Sequence, residues 1–137
     1  MAIESNRREL DWNKIVGPFY SAREVARELH LTEDEVAKQL KESTILGLKT
    51  LEGSVVFPTY QFIQGEDGES RIIIPGLPEV LSEFIDANDA ERWTLSSWLI
   101  VGQRKLDHKS VVDYLKEKGD LKRAVDLAHD IADRWAH

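Results

Sequence analysis

With 137 residues, 42% of them hydrophobic and 31% charged, the chain is long enough to bury a core and too apolar for wholesale disorder. A net charge of −7 and a pI near 5.1 repel phosphate backbones at long range, which disfavours a general nucleic-acid coat protein. Cysteine is absent, so disulfides, thiol catalysis and cysteine-bound zinc are excluded together.

No apolar run approaches the roughly 18 residues of a membrane span, and the N-terminus has no apolar stretch that could serve as a signal peptide. A cytoplasmic protein with no membrane partner is expected. His30, His108, His129 and His137 are too scattered for a ligand set, so neither metal nor cofactor is expected.

Residues 1–17 read as a polar leader, helical around "ESNRRELDWNKIV", with Trp12 and Ile15 candidates to fold back on the body. Gly17-Pro18 ends it, because proline restricts the residue before it and blocks helix continuation. Residues 18–75 form the next unit. In "YSAREVARELHLTEDEVAKQLKE", Ser21 with Glu24 and Thr32 with Glu35 each make a capping-box spacing, a helix-start signal. Two short helices meeting through "HL", each with an inward alanine (Ala26 and Ala37), predict a helix-turn-helix. "GLKTL" and "SVVFP", separated by Glu52-Gly53, then predict a β-hairpin, completing a small winged unit. "GEDGES" is a polar loop and "RIIIP" a short strand.

Residues 76–137 read as four helices. The first places Leu77, Val80, Leu81, Phe84 and Ile85 on one stripe, with Pro78 in its first turn. The second, "DAERWTLSSWLI", gathers Trp93, Leu95, Trp98 and Leu99. A third carries Val111, Val112, Tyr114 and Leu115 and stops at Gly119 as a C-terminal cap. The last opens on Asp120 and runs Leu121, Ala124, Val125, Ala128, Ile131, Ala132 and Trp135 along one face. The fold class expected is mainly α with a small β-hairpin: a helix-turn-helix or winged unit followed by a four-helix unit.

For DNA, Lys38, Gln39, Lys41 and Lys49 are the candidate contacts, and Glu33, Asp34 and Glu35 at the start of the second helix argue against them. Neither half is basic: residues 18–62 hold five Lys/Arg against seven Asp/Glu, and residues 76–137 nine against twelve. Catalysis is not expected. "GEDGES" lacks the lysine and helix entry of a phosphate loop, Asp107 and His108 are adjacent residues that point apart, and Ser96, Ser97 and Ser110 read as helix-face or cap residues. Lys109 and Asp113 read as a surface ion pair. Trp93 and Trp98 diverge by about 140° on a helix, so one suits the core and the other its rim. Trp135, two residues from the last, reads either as packed on the bundle or as an anchor inserted into a partner.

The segment from Glu91 to Ala136, "ERWTLSSWLIVGQRKLDHKSVVDYLKEKGDLKRAVDLAHDIADRWA", resembles the toxin-binding domain of Xre/MbcA/ParS-type antitoxins. Trp98-Leu99 matches the family's tryptophan-leucine pair, Val101-Gly102-Gln103 occupies its polar break, and Leu106-Asp107-His108, Ser110-Val111 and Tyr114-Leu115 follow in the family's order. The asparagine, both glycines and the proline of the usual break are missing. The resemblance implies an antitoxin that binds and blocks a RES-domain toxin, commonly as a homodimer, with autorepression of its operator DNA. It further implies toxin contacts from Trp98, Gln103 and Arg104 and a blocking segment at Asp130, Asp133, Arg134, Trp135 and His137. The alternatives are a free-standing transcription regulator and a mobile-element adaptor that has lost its toxin.

Overall fold

A computed structural model describes residues 15–136. The leader helix and Trp12 therefore lie almost wholly outside the described residues, as does His137. At the leader's end the expectation for Ile15 is reversed: Ile15 is exposed and its neighbour Val16 is buried.

The described chain is mainly α-helical with a small amount of antiparallel sheet. Strand β1 (Phe19–Ser21) leads straight into helix α1 (Ala22–Leu29), and α2 (Glu33–Lys41) follows after a three-residue connection. Both capping boxes form as the spacing requires. Glu24 N–H donates to Ser21 Oγ while Ser21 N–H donates to Glu24 Oε1, and Thr32 and Glu35 repeat the exchange. His30 turns the chain between the helices from the left-handed region, at φ 57°. Val25 and Ala26 of α1 meet Val36 of α2 in a small core completed by Ile45, Phe57 and Phe62. Ala37 does not share that core. It is exposed, because at about 100° per residue it stands a full step round from Val36.

Strands β2 (Leu48–Lys49) and β3 (Val55–Pro58) make the expected hairpin, with Gly53 supplying the left-handed residue of its turn at φ 91°. The pairing is shorter than "GLKTL" suggested, and β3 has a second partner. It lies between β1 and β2, with Tyr20 opposite Phe57 and Leu48 opposite Val56. A second hairpin pairs β4 (Phe62–Gln64) with β5 (Arg71–Ile73) across the "GEDGES" loop. Asp67 organises that loop by accepting from the backbone N–H groups of Ser70 and Glu69 and from Ser70 Oγ. Those bonds, the Ser70 backbone bond foremost, hold its carboxyl down at about 2.

Four helices follow: α3 (Leu77–Ser82), α4 (Asp89–Trp98), α5 (Val111–Lys116) and α6 (Leu121–Trp135). Asn88, Ser110 and Asp120 cap the last three; Asn88 and Glu91 form a third capping box. Ile85 leaves the predicted stripe, since α3 ends at Ser82 and the chain turns before it, while Leu127 joins the buried face of α6. Gly119 is not the left-handed cap of α5. Lys118 takes that position at φ 61°, and Gly119 is needed because the Tyr114 ring lies where its Cβ would be. Lys109, which precedes the cap Ser110 and so lies off the helix, pairs with Glu117 at 3.1 Å instead of with Asp113.

The larger core runs through all four helices and also takes in Val16, Leu46, Leu48 and Ile74 from the N-terminal elements. Within the N-terminal half, Gln61, buried in the turn between β3 and β4, clamps that turn to the segment between α2 and β2. Its amide donates to the Leu46 and Pro58 carbonyls, and its oxygen accepts from Leu46 N–H at 2.8 Å. On α4, Trp93 stacks edge-on against Phe19 and donates its indole N–H to the Lys49 carbonyl at 2.9 Å. The strand at the base of the hairpin is thereby tied to the helical half.

Candidate functional site

Two surfaces bring the predicted residues together, and the first is the outer face of α2. Helical geometry puts Asp34, Lys38 and Lys41 on one stripe opposite the buried Val36, with Ala37 beside it, and all four are exposed. Lys49 is exposed at the end of β2, directly before the hairpin turn. Gln39 is diverted from this face. Its backbone carbonyl accepts from Thr44 N–H, and its side-chain oxygen lies 3.4 Å from Thr44 Oγ1, so it secures the exit from α2.

The acids at the start of α2 are not equivalent. Glu35 is turned back onto the helix end, where bonding to the Thr32 backbone N–H holds its carboxyl below the usual carboxylate range. Glu33 and Asp34 remain on the surface. Two cations were overlooked in the sequence: Arg23 and Arg27, both exposed on α1. Their i,i+4 spacing places them on one stripe, which was a legible signal. The exposed basic set of this half is therefore Arg23, Arg27, Lys38, Lys41 and Lys49.

The second surface is at the C-terminal helix. Trp135 packs on Phe84 with ring centroids 5.1 Å apart, and Phe84 in turn packs on Trp98 at 5.7 Å. Of the two readings for Trp135, packing on the bundle describes its contacts; it is half-buried, not held out as a free anchor. Beside it lies a cleft of about 270 Å³ between the end of α6 and the turn after α3. Asp133 and Trp135 line it together with Glu83, Phe84, Asp86 and Glu91. His129, also in its wall, contacts Glu83 at 2.8 Å, and that hydrogen bond raises its pKa above the ordinary value, with the charges of Glu83, Asp133 and Asp130 adding to the effect.

The other expected contacts fall elsewhere. Trp98 is half-buried behind Phe84, whereas Asp130 and Arg134 are exposed on α6 and do not line the cleft. Gln103 staples the α4–α5 loop: its N–H donates to the Lys109 carbonyl, its carbonyl accepts from His108 N–H, and its amide reaches the Trp98 and Val101 carbonyls. Arg104 is exposed in the short turn that follows. Asp107 faces Arg123 at 3.6 Å. Among the described residues, no three His, Asp or Glu are placed to hold a metal ion, and no helix is long and apolar enough to cross a membrane.

No protein-family model matches the chain, and no curated protein sequence does. Its fold is similar to a solved structure titled "NMR structure of Rv2175c", with a TM-score of 0.60 and 25% sequence identity. The similarity covers 84% of this chain and 81% of that one. It extends well beyond the two-helix unit alone.

Proposed function

We propose that the chain is a regulator that binds duplex DNA through a winged helix-turn-helix, with α1 and α2 as the helix pair, α2 as the reading helix and the β2–β3 hairpin as the wing. The observation that carries this reading is the three-stranded sheet ordered β1-β3-β2, whose first strand runs directly into α1. That arrangement holds the hairpin rigidly beside the helix pair, where a helix entering the major groove and a wing beside it would both meet the duplex. The exposed Ala37 suits this role: a small residue lets a helix sink close to base edges and can contact a thymine methyl. Lys38 and Lys41 flank it as phosphate or base contacts, and Arg23, Arg27 and Lys49 add cations. With only these five cations on an acidic protein, binding should be modest, with a log–log salt slope no steeper than about −4.5.

The test is fluorescence anisotropy on the DNA upstream of the protein's own gene across a salt series. Lys38→Ala with Lys41→Ala should weaken binding at least tenfold and lower the log–log salt slope by about 2, one for each lost phosphate contact. An unchanged slope would remove α2 from the interface.

A second reading, inhibition of a RES-domain toxin, is favoured by the position of Asp133 and Trp135 together on an open cleft at the C-terminal helix. Co-purification with a RES-domain protein encoded beside it, abolished by Asp133→Lys, is the expected outcome. Retention of the partner by that variant would count against the cleft.

A further inference from the structure

The cleft beside Trp135 combines two features that call for one kind of occupant. Its apolar wall holds the aromatic pair Phe84 and Trp135 beside Ala87, Ala132 and Ala136, and its charged lining is acidic (Glu83, Asp86, Glu91 and Asp133) apart from His129, with neither Lys nor Arg among the lining residues. Two of those carboxylates are already engaged. Glu83 is bonded to His129, and Glu91 closes the capping box on Asn88 N–H. The carboxylates of Asp86 and Asp133 accept no hydrogen bond among the described residues, although the Asp133 charge also acts on His129. At about 270 Å³ the space falls just short of the range of small-molecule sites, so it suits one long side chain and not a nucleotide.

We propose that this cleft is the docking site for an arginine side chain presented by a partner protein. A guanidinium matches it on every count. It is planar and weakly hydrated, it stacks on aromatic faces, and its fork of donors can reach two carboxylates at once. Lysine offers a compact, strongly hydrated charge that gains less from the Trp135 face. The charge complementarity is local as well as global, since the chain as a whole carries −7. The proposal names the chemistry of a partner for the C-terminal half and is independent of DNA binding by the N-terminal half.

The test uses the full-length, isotope-labelled protein and the peptide acetyl-Gly-Arg-Gly-amide, with its citrulline counterpart as the neutral isostere. Saturable amide and indole shifts confined to Phe84, Asp86, Asp133 and Trp135 are expected with the arginine peptide, and binding of the citrulline peptide should be at least tenfold weaker. Asp133→Asn, which keeps the shape of the side chain on an exposed helix position, should weaken the arginine peptide about fivefold, the upper end for one exposed ion pair. Equal shifts from both peptides, or shifts spread over the acidic start of α2 as much as the cleft, would overturn the proposal. Neither result would bear on the DNA titration, which reads Lys38 and Lys41.

Discussion

Gln61→Leu should destabilise the protein by roughly 3–5 kcal/mol while leaving its hydrophobic volume nearly unchanged. Gln61 is fully buried, and three hydrogen bonds tie its amide to Leu46 and Pro58. Leucine fills the same space but leaves the Leu46 N–H, the Leu46 carbonyl and the Pro58 carbonyl without that partner. A buried backbone group stripped of its bond costs about 1–3 kcal/mol, so two or three such losses dominate any gain from the more apolar side chain. No buried side-chain polar atom among the described residues lacks a partner, so no neighbour is waiting to take over. Urea unfolding followed by tryptophan fluorescence measures the change directly. A loss below 1 kcal/mol would mean that water reaches these groups and that Gln61 is a filler, not a clamp.

The contrast between Gln61 and the capping residues shows what was legible in the sequence. Ser21 with Glu24, Thr32 with Glu35, and Asp120 were readable because a cap and its partners lie within three residues, and local spacing decides the bond. Asn88 with Glu91 carries the same pattern, and its bond too is decided within three residues. Gln61 could not be found that way: its partner Leu46 is set by how β3 folds back, and a lone glutamine between aromatics has no local signature. Strand β1 was hidden for a related reason, since three residues of strand exist only because β3 pairs with them. The candidate surfaces divide similarly. Lys38 and Lys41 were identifiable from helical period alone, whereas the diversion of Gln39 depends on Thr44 beyond the helix end. Trp135 was ambiguous because its contact, Phe84, comes from a distant helix end.

Gly119→Ala is expected to cost about 2–3 kcal/mol, and the reason differs from the usual one for a glycine after a helix. A left-handed C-terminal cap would make the loss conformational, with alanine strained at positive φ. Here Lys118 occupies the left-handed position, and Gly119 lies outside it. A Cβ at Gly119 would instead meet the Tyr114 ring, with its Cζ at 2.5 Å and two further ring carbons at 2.6 and 2.7 Å. Tyr114 is buried in the larger core, so the ring cannot swing aside without displacing its neighbours, and overpacking of this kind costs on the order of 1–3 kcal/mol. A double-mutant cycle separates the two causes. In a Tyr114→Leu background the clash is gone, so Gly119→Ala should cost less than about 1 kcal/mol, the difference being the coupling energy. If the penalty is the same with and without the ring, the glycine is required for its backbone and the steric account is wrong. Tyr114 belongs to α5 and Gly119 to the turn before α6, so the contact lies at the junction of the two helices.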